Sequence, residues 1–473
     1  MIHKVRFPAR YVLASSTFLI HAIAYSQRSV LPVAILAMVN HSSIHMYNTT
    51  SSTECPNNYQ QNSTSSYKES SYVWSQPTQG IILGSEFYGF VFSELFGGTI
   101  IFLFGPKKML IISSFLSSIF SILTPFCADV SVSVISLCQA IFGFGQGLVL
   151  YGSLTLLGRW SPENEKSTLS SISFSGMQVG TFIGLITTGY ICEDIGWPFS
   201  FYTFGICGIV FSLCVMFIVY DRPQEHPRIS DKELTFLNES VTNIASGETK
   251  LNIPWKQILT SRTVFILAMT KICLGFGYFT ILTKIPSYLE IILHFSIQKN
   301  GIMSALIYSV DCIAMFISGF VADFMKSRKY LSITNIRKIC ETIATFGPAA
   351  CILAISFLGC ESTNVIICLM VGMGCFGFSA SDDIAIALDL APEFAGVIFG
   401  LTDSLYNAAG IFSPYVSGVI LDKNQGDMIR WSYVFYMVSS AYILGGVIFI
   451  FGATAKVQPW ASTNTDNKKQ DNN

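Results

Sequence analysis

Charge is scarce in this sequence. Only 12% of its 473 residues are Asp, Glu, Lys or Arg, about half the share usual in a soluble globular protein. With 51% hydrophobic residues and a mean hydropathy of +0.52, the shortage excludes a water-exposed globular domain and indicates a polytopic membrane protein. Basic runs are missing as well, and at a net charge of −1 no nucleic-acid partner is expected. No nucleophile–base pair or metal-ligand cluster has usable spacing, so neither an enzyme, a metal nor a cofactor is expected. The 13 cysteines form no disulfide framework. Most (Cys207, Cys214, Cys273, Cys312, Cys351, Cys368, Cys375) sit in apolar stretches, where Cys acts as a small apolar filler; Cys55, in a polar loop, is left open. Lys4, Arg6 and Arg10 resemble the start of a signal peptide, but the apolar segment after them is too long and lacks a small-residue cleavage site, so it reads as a retained span.

What is present is a series of apolar stretches. Twelve are counted, over 11–38, 79–104, 108–127, 133–158, 168–192, 198–220, 263–290, 301–325, 339–359, 363–388, 395–420 and 431–453, each near or above the roughly 20 residues a spanning helix needs. The expected fold is all-α, with twelve transmembrane helices in two six-helix halves. The halves cover 1–220 and 263–455, joined by a linker at 221–262 and followed by a disordered tail at 456–473. Placing the N-terminus inside puts 21 of the 28 Lys and Arg residues on the cytosolic side, which predicts that both termini are cytosolic. The long loop at 39–78 is then outside. It is rich in Ser, Thr and Asn and carries three glycosylation sequons, at Asn40, Asn48 and Asn62.

Arg28 lies within the first apolar stretch, and no acidic residue occurs from Tyr11 to Val39. A helix starting at Tyr11 reaches it after about 26 Å, at ~1.5 Å per residue, past the middle of a hydrocarbon core about 30 Å thick. A guanidinium stays charged there at a cost of roughly 2.5 to 3.5 kcal/mol. It therefore faces protein or water, and an anionic ligand is the expected missing counter-ion. Tyr25 lies one turn below on the same face.

At the cytosolic end of the eighth stretch stands Gly319-x3-Asp323-x4-Arg328-Lys329. The glycine lets helices approach, Asp323 can bond a neighbouring helix terminus, and the basic pair stays at the surface, so Gly319, Asp323 and Arg328 are expected to gate the inward face. The bland alternative is that the basic pair only follows the positive-inside bias. Six stretches earlier, Gly97-Gly98 and Lys107-Lys108 recur at matching spacing, with Phe102 in the acid's place. Repeated halves suit alternating access around a midplane site.

These features, with Arg10-Tyr11, Gln27-Arg28, Trp74-Ser75, Gln79-Gly80, Arg159-Trp160-Ser161-Pro162, Gly196-Trp197-Pro198, Pro254-Trp255, Arg337-Lys338, Leu388-Asp389-Leu390-Ala391-Pro392 and Val457-Gln458-Pro459-Trp460, run over nearly the whole chain. Here the sequence resembles the major facilitator superfamily. Within it, the likeness is to the anion:cation symporter family of type I sodium/phosphate cotransporters, sialin and vesicular glutamate transporters. Gln27-Arg28 and Gly145-Gln146-Gly147 look most like the type I sodium/phosphate branch. The resemblance implies transport of organic anions or phosphate, driven by membrane potential or by a Na⁺ or H⁺ gradient, with Arg28 in substrate binding. Some positions depart from the family: Gln139 stands for an arginine, Gln146 for a membrane carboxylate, Val30 for an asparagine, and Ile384, Ile386 and Ala387 for asparagine and histidine.

Intramembrane acids are expensive and functional by default. Glu86, Glu94, Asp311, Asp382, Asp383 and Asp403 all qualify. Glu86, Asp382 and Asp383 are the candidates for ion coupling; the alternative is a structural pairing with Lys271 or Lys284. Tyr88, Gln178 and Tyr308 are added to Arg28 and Tyr25 as candidate substrate contacts, although buried hydroxyls and amides also bond helices together. Gly143-x-Gly145-x-Gly147 resembles a nucleotide loop, but without a preceding strand it reads as close helix packing. The reading is a secondary transporter of small organic anions in a lipid bilayer, with Na⁺ or H⁺ as possible co-substrate. A sodium/phosphate cotransporter is the second reading, and a transport-incompetent sensor on the same fold the third. The plasma membrane is expected over endolysosomal or vesicular membranes.

Overall fold

The computed structural model describes residues 8–39, 72–162, 165–237, 253–328, 331–391, 394–422 and 426–461. The three sequons at Asn40, Asn48 and Asn62 lie outside the described residues. The fold is all-helical; the only β pairing among the described residues is an isolated bridge between Val39 and Tyr72. Among the described residues, eleven helical segments are long and apolar enough to cross a membrane, the first of them Ala9–Met38 taken as one. The remaining predicted span is α14 (Ala395–Leu421), 27 residues long and interrupted by Asp403, Asn407 and several serines.

The first span is two helices, α1 (Ala9–Arg28) and α2 (Val30–Met38). Pro32 explains the break. It has no N–H to give the Arg28 carbonyl four residues back, and its ring crowds that carbonyl. Ser29 turns its hydroxyl to the Tyr25 carbonyl at 2.8 Å, a bond that bends helices. The start of α1 is fixed by Glu233, whose carboxylate accepts from the Ala9 and Arg10 amides at 3.0 and 3.2 Å. A negative charge there complements the helix dipole.

The following helices are α3 (Gln76–Phe104), α4 (Pro106–Val130), α5 (Val132–Trp160), α6 (Lys166–Asp194) and α7 (Trp197–Ile218). After a short α8 (Trp255–Thr260) come α9 (Arg262–Ile291), α10 (Ile297–Ser327) and α11 (Ile333–Leu358). The predicted tenth span, 363–388, is not continuous. It is α12 (Ser362–Phe376), a 3₁₀ turn at Gly377–Ser379, and α13 (Ala380–Leu390). Helix α15 (Met428–Gly452) closes the series.

The chain forms two compact units, one from Met1–Ala34 with Ser85–Leu251, the other from Ile35–Gly84 with Asn252–Asn473. In the first, Leu13, Leu110, Val149, Leu156, Trp160 and Val215 share a buried cluster. In the second, Val264, Ala387, Phe394 and Ile398 do so, with Trp460 packed against them. The Gly143-x-Gly145-x-Gly147 run is the close-packing surface expected from sequence. A side chain at Gly143 would meet the Glu86 backbone, one at Gly145 the Ser113 carbonyl at 2.9 Å, and one at Gly147 the Ser93 side chain.

Gly105, which caps α4, has φ +88° and ψ 143°, a region open essentially to glycine alone. Gly105→Ala is expected to destabilise the fold by about 1–3 kcal/mol, read as earlier thermal unfolding of the purified protein. Eleven of the described cysteines are free thiols, and Cys360, between α11 and α12, is disulfide-bonded.

Candidate functional site

Arg28 ends α1, immediately before the proline-induced break, and Glu86 sits on the α3 face that packs against Gly143 of α5. The two meet: Arg28 Nε donates to Glu86 Oε1 at 2.9 Å, with the two side chains 13% and 10% exposed. Three aromatic rings frame the guanidinium, Phe90 at 4.7 Å, Phe87 at 5.2 Å and Tyr25 at 5.8 Å from ring centre to Cζ. Ring faces attract a cation, by about 0.5–1 kcal/mol at exposed sites and about 2 kcal/mol when desolvated. The expectation that a ligand supplies Arg28's counter-ion is thus corrected. The first span carries no acid of its own, but α3 brings one to it, which periodicity within a single helix does not reveal.

Gln27, beside Arg28, is the centre of a buried amide network. Its Nε2 donates to Ser118 Oγ and to the Phe204 carbonyl, both at 3.0 Å, and its Oε1 accepts from Gln146 Nε2 at 3.2 Å. Gln139 donates to Thr124 Oγ1 at 3.0 Å. Both glutamines that replace charged family residues are therefore satisfied within the helix packing. This neutral network holds α1, α4, α5 and α7 together directly behind the ion pair.

A family model of the Major Facilitator Superfamily matches residues 17–414. Sialin of Homo sapiens is 32% identical over 458 residues, covering 96% of this chain and 91% of sialin. The chain belongs to the Major Facilitator Superfamily, in its anion:cation symporter branch. A putative inorganic phosphate cotransporter of Drosophila ananassae is also 32% identical, over 96% of this chain and 94% of its own. A crystal structure of a bacterial homolog to the human lysosomal transporter Spinster, inward-facing and occupied, shares the fold. Its TM-score is 0.68 at 12% identity, covering 96% of this chain and 100% of that one. The protein is therefore a multi-pass membrane transporter and not an enzyme.

The other predicted residues of this transporter fall in different places. Tyr88 is not brought to Arg28. Two residues beyond Glu86, it shares an exposed stripe with Ile81, Phe92 and Leu95. Gln178 is half-buried on α6, and Tyr308 is buried on α10 with its ring 6.4 Å from that of Tyr278. Asp382 and Asp383 lie on α13, with side chains outside the described residues. At the expected gate, a side chain added at Gly319 would meet nothing within 4 Å, so among the described residues no helix approaches closely there. Asp323 and Arg328 are exposed, and Arg328 lies over the Phe324 ring. The repeat holds in this respect: Gly98 also faces open space, and Phe102, in the acid's position, is 86% exposed.

Ion pairs at the helix ends are not visible in the sequence pattern, although Arg10, Arg337 and Asp389 carry the family resemblance. Arg10 bonds Glu165 at 2.7 Å and Glu233 at 3.2 Å. Arg337 bonds Asp389 at 3.1 Å. Trp160 donates to the Tyr220 carbonyl at 3.0 Å, and the His226 ring packs edge-on against both aromatics. Burial holds the His226 imidazole below its usual range despite the carboxylate of Glu233 nearby. In the second unit Lys284, only 2% exposed, bonds Gln76 Oε1 at 2.9 Å rather than an acid. Lys271 faces Glu341, a buried acid on α11.

Proposed function

We propose that this transporter carries small organic anions by alternating access, with Arg28 as the group that receives the substrate's negative charge and Glu86 as its resident counter-ion. The 2.9 Å Arg28–Glu86 pair inside a cage of three aromatic rings carries this reading. A buried guanidinium is stable only when paired. Glu86 therefore neutralises Arg28 when no anion is bound, and an entering carboxylate or phosphate takes its place. The displaced or protonated Glu86 provides the link to an electrical or ionic driving force. The aromatic frame favours a flat organic anion over a small hydrated one, because Phe87, Phe90 and Tyr25 offer ring faces and no hydrogen-bond donors other than the Tyr25 hydroxyl.

Inorganic phosphate is the second reading, supported by the phosphate cotransporter among the relatives. The proposed topology has both termini in the cytosol, the sequon-bearing loop outside and the plasma membrane as location. The disulfide at Cys360 supports that orientation, since a disulfide belongs on an oxidising side and the 359–361 connector is then external.

The test is uptake into proteoliposomes under an inside-positive potential, with labelled urate or p-aminohippurate and unlabelled phosphate as competitor. Potential-driven organic-anion uptake that millimolar phosphate leaves unchanged is expected. Phosphate uptake that organic anions do not inhibit would select the second reading. No uptake of any anion under potential, Na⁺ or H⁺ gradients would point to the sensor.

A further inference from the structure

The second unit contains a buried acid that the anion site does not use. Asp311, on α10, is 4% exposed, and its Oδ1 is shut off from solvent with no hydrogen-bond partner among the described residues. The Tyr442 hydroxyl on α15 is likewise buried without a partner, on a residue that is 0% exposed. Asp311 is within electrostatic reach of the hydroxyls of Tyr308, Tyr406 and Tyr442. Their rings join a continuous aromatic cluster: Tyr278 is 5.1 Å from Phe376, 6.2 Å from Tyr406 and 6.4 Å from Tyr308, and Phe376 is 6.1 Å from Tyr442. Lys271 touches this cluster through the Tyr406 ring at 5.7 Å but faces Glu341 of α11. No basic side chain among the described residues bonds Asp311.

The break between α12 and α13 lies against the same acid. A side chain at Gly377 would meet the Asp311 carbonyl at 2.7 Å, so the 3₁₀ turn is pressed onto α10 at this point. The Gly377 carbonyl faces α10 at this break and accepts from Ser318 Oγ at 3.2 Å, which leaves its second lone pair; carbonyls at such breaks serve as ligands for small cations. An unpaired carboxylate and an unpaired hydroxyl are each costly in a dry interior. A proton satisfies only the carboxylate. A bare monovalent cation draws on both oxygens, and the ring faces around it are favourable as well.

We propose that Asp311, the Tyr442 hydroxyl and the 377–379 break form a sodium site, so that the cation binds in the second unit while the anion binds at Arg28 in the first. This rests on the transport reading above but uses none of the Arg28–Glu86 residues. Sodium bound there neutralises Asp311 without a proton, and its release in the absence of substrate restores the costly unpaired acid.

The test is thermal unfolding of the purified full chain, titrated with NaCl against choline chloride at constant ionic strength, with no anionic substrate. Wild type is expected to gain stability with Na⁺. Asp311→Asn, which keeps the side-chain shape, is expected to raise the half-saturating Na⁺ concentration at least about tenfold, as loss of a charged ligand implies. Tyr442→Phe removes one oxygen from the buried ring and should weaken Na⁺ severalfold even if Asp311→Asn fails to fold. Arg28→Ala should keep the Na⁺ response, which separates failure of this site from failure of the anion site. A wild-type protein indifferent to Na⁺, or one stabilised equally by Na⁺ in Asp311→Asn and Tyr442→Phe, overturns the proposal. A response to pH and not to Na⁺ also overturns it, making Asp311 a proton site.

Discussion

Arg28→Ala is expected to abolish anion uptake and to destabilise the protein by about 3–5 kcal/mol, because it leaves Glu86 buried without its partner. Stability and transport then separate in the other variants. Glu86→Gln leaves Arg28 charged inside its aromatic cage but removes the resident competitor. It should lower the half-saturating anion concentration severalfold while slowing release, and uptake should lose its response to the driving force. Replacing both partners with apolar residues of similar size is expected to restore much of the stability, since a buried pair and a well-packed apolar pair are often near equal. That double variant should transport nothing. Swapping the charges, with Arg28→Glu and Glu86→Arg together, should keep the fold and lose anion uptake. The measurements are thermal unfolding of each variant and potential-driven uptake at several anion concentrations. Uptake at wild-type rates in Arg28→Ala would remove Arg28 from the site. Uptake unchanged in Glu86→Gln would reduce Glu86 to a structural partner.

Much of the fold can be read from the chain, because hydrophobic length is a local property. Eleven of the twelve predicted spans correspond to helices of membrane-crossing length and composition. The site is only half legible. Arg28 stands out because a charge in an apolar stretch is visible to simple counting, and Glu86 stands out for the same reason on the next span. That the two are partners depends on the rotation and depth of one helix against another, which a single sequence does not encode in any short window. The same limit hides Arg337–Asp389 and Arg10–Glu165, whose members are far apart in the chain. The break at Gly377 is hidden for a different reason: one glycine in an apolar run is compatible with a continuous helix, and the need for glycine there comes from the neighbouring Asp311 backbone, which is distant in the chain. At the expected gate the motif places its residues at the helix end, but the described residues do not lock there.

Gly143→Val and Gly319→Ala should have opposite fates, although both residues are helical glycines that the sequence reading assigned to close packing. At Gly143 the backbone of α3 is the obstacle, since an added side chain meets the Glu86 carbonyl carbon at 2.8 Å and its Cα at 3.1 Å. Backbone cannot rotate aside as the tip of a side chain can, so α5 must move outward from α3. Overpacking of this kind costs about 1–3 kcal/mol. The larger consequence concerns geometry. The displaced atoms belong to Glu86 itself, and a shift of about 1 Å there is enough to lose a 2.9 Å charged hydrogen bond. Gly143→Val is therefore expected to cut anion uptake by a factor on the order of 100, with a stability loss smaller than that of Arg28→Ala. At Gly319 an added methyl meets nothing within 4 Å. Gly319→Ala should raise helix stability by up to about 1 kcal/mol through propensity alone. If transport survives, this end of α10 stays open throughout the cycle. If Gly319→Ala folds normally yet transports poorly, the glycine is needed in a conformation where helices close over it, and the gate predicted at Gly319, Asp323 and Arg328 forms in that other state. Measuring both variants side by side, by uptake and by unfolding, distinguishes a glycine that positions the ion pair from one reserved for motion.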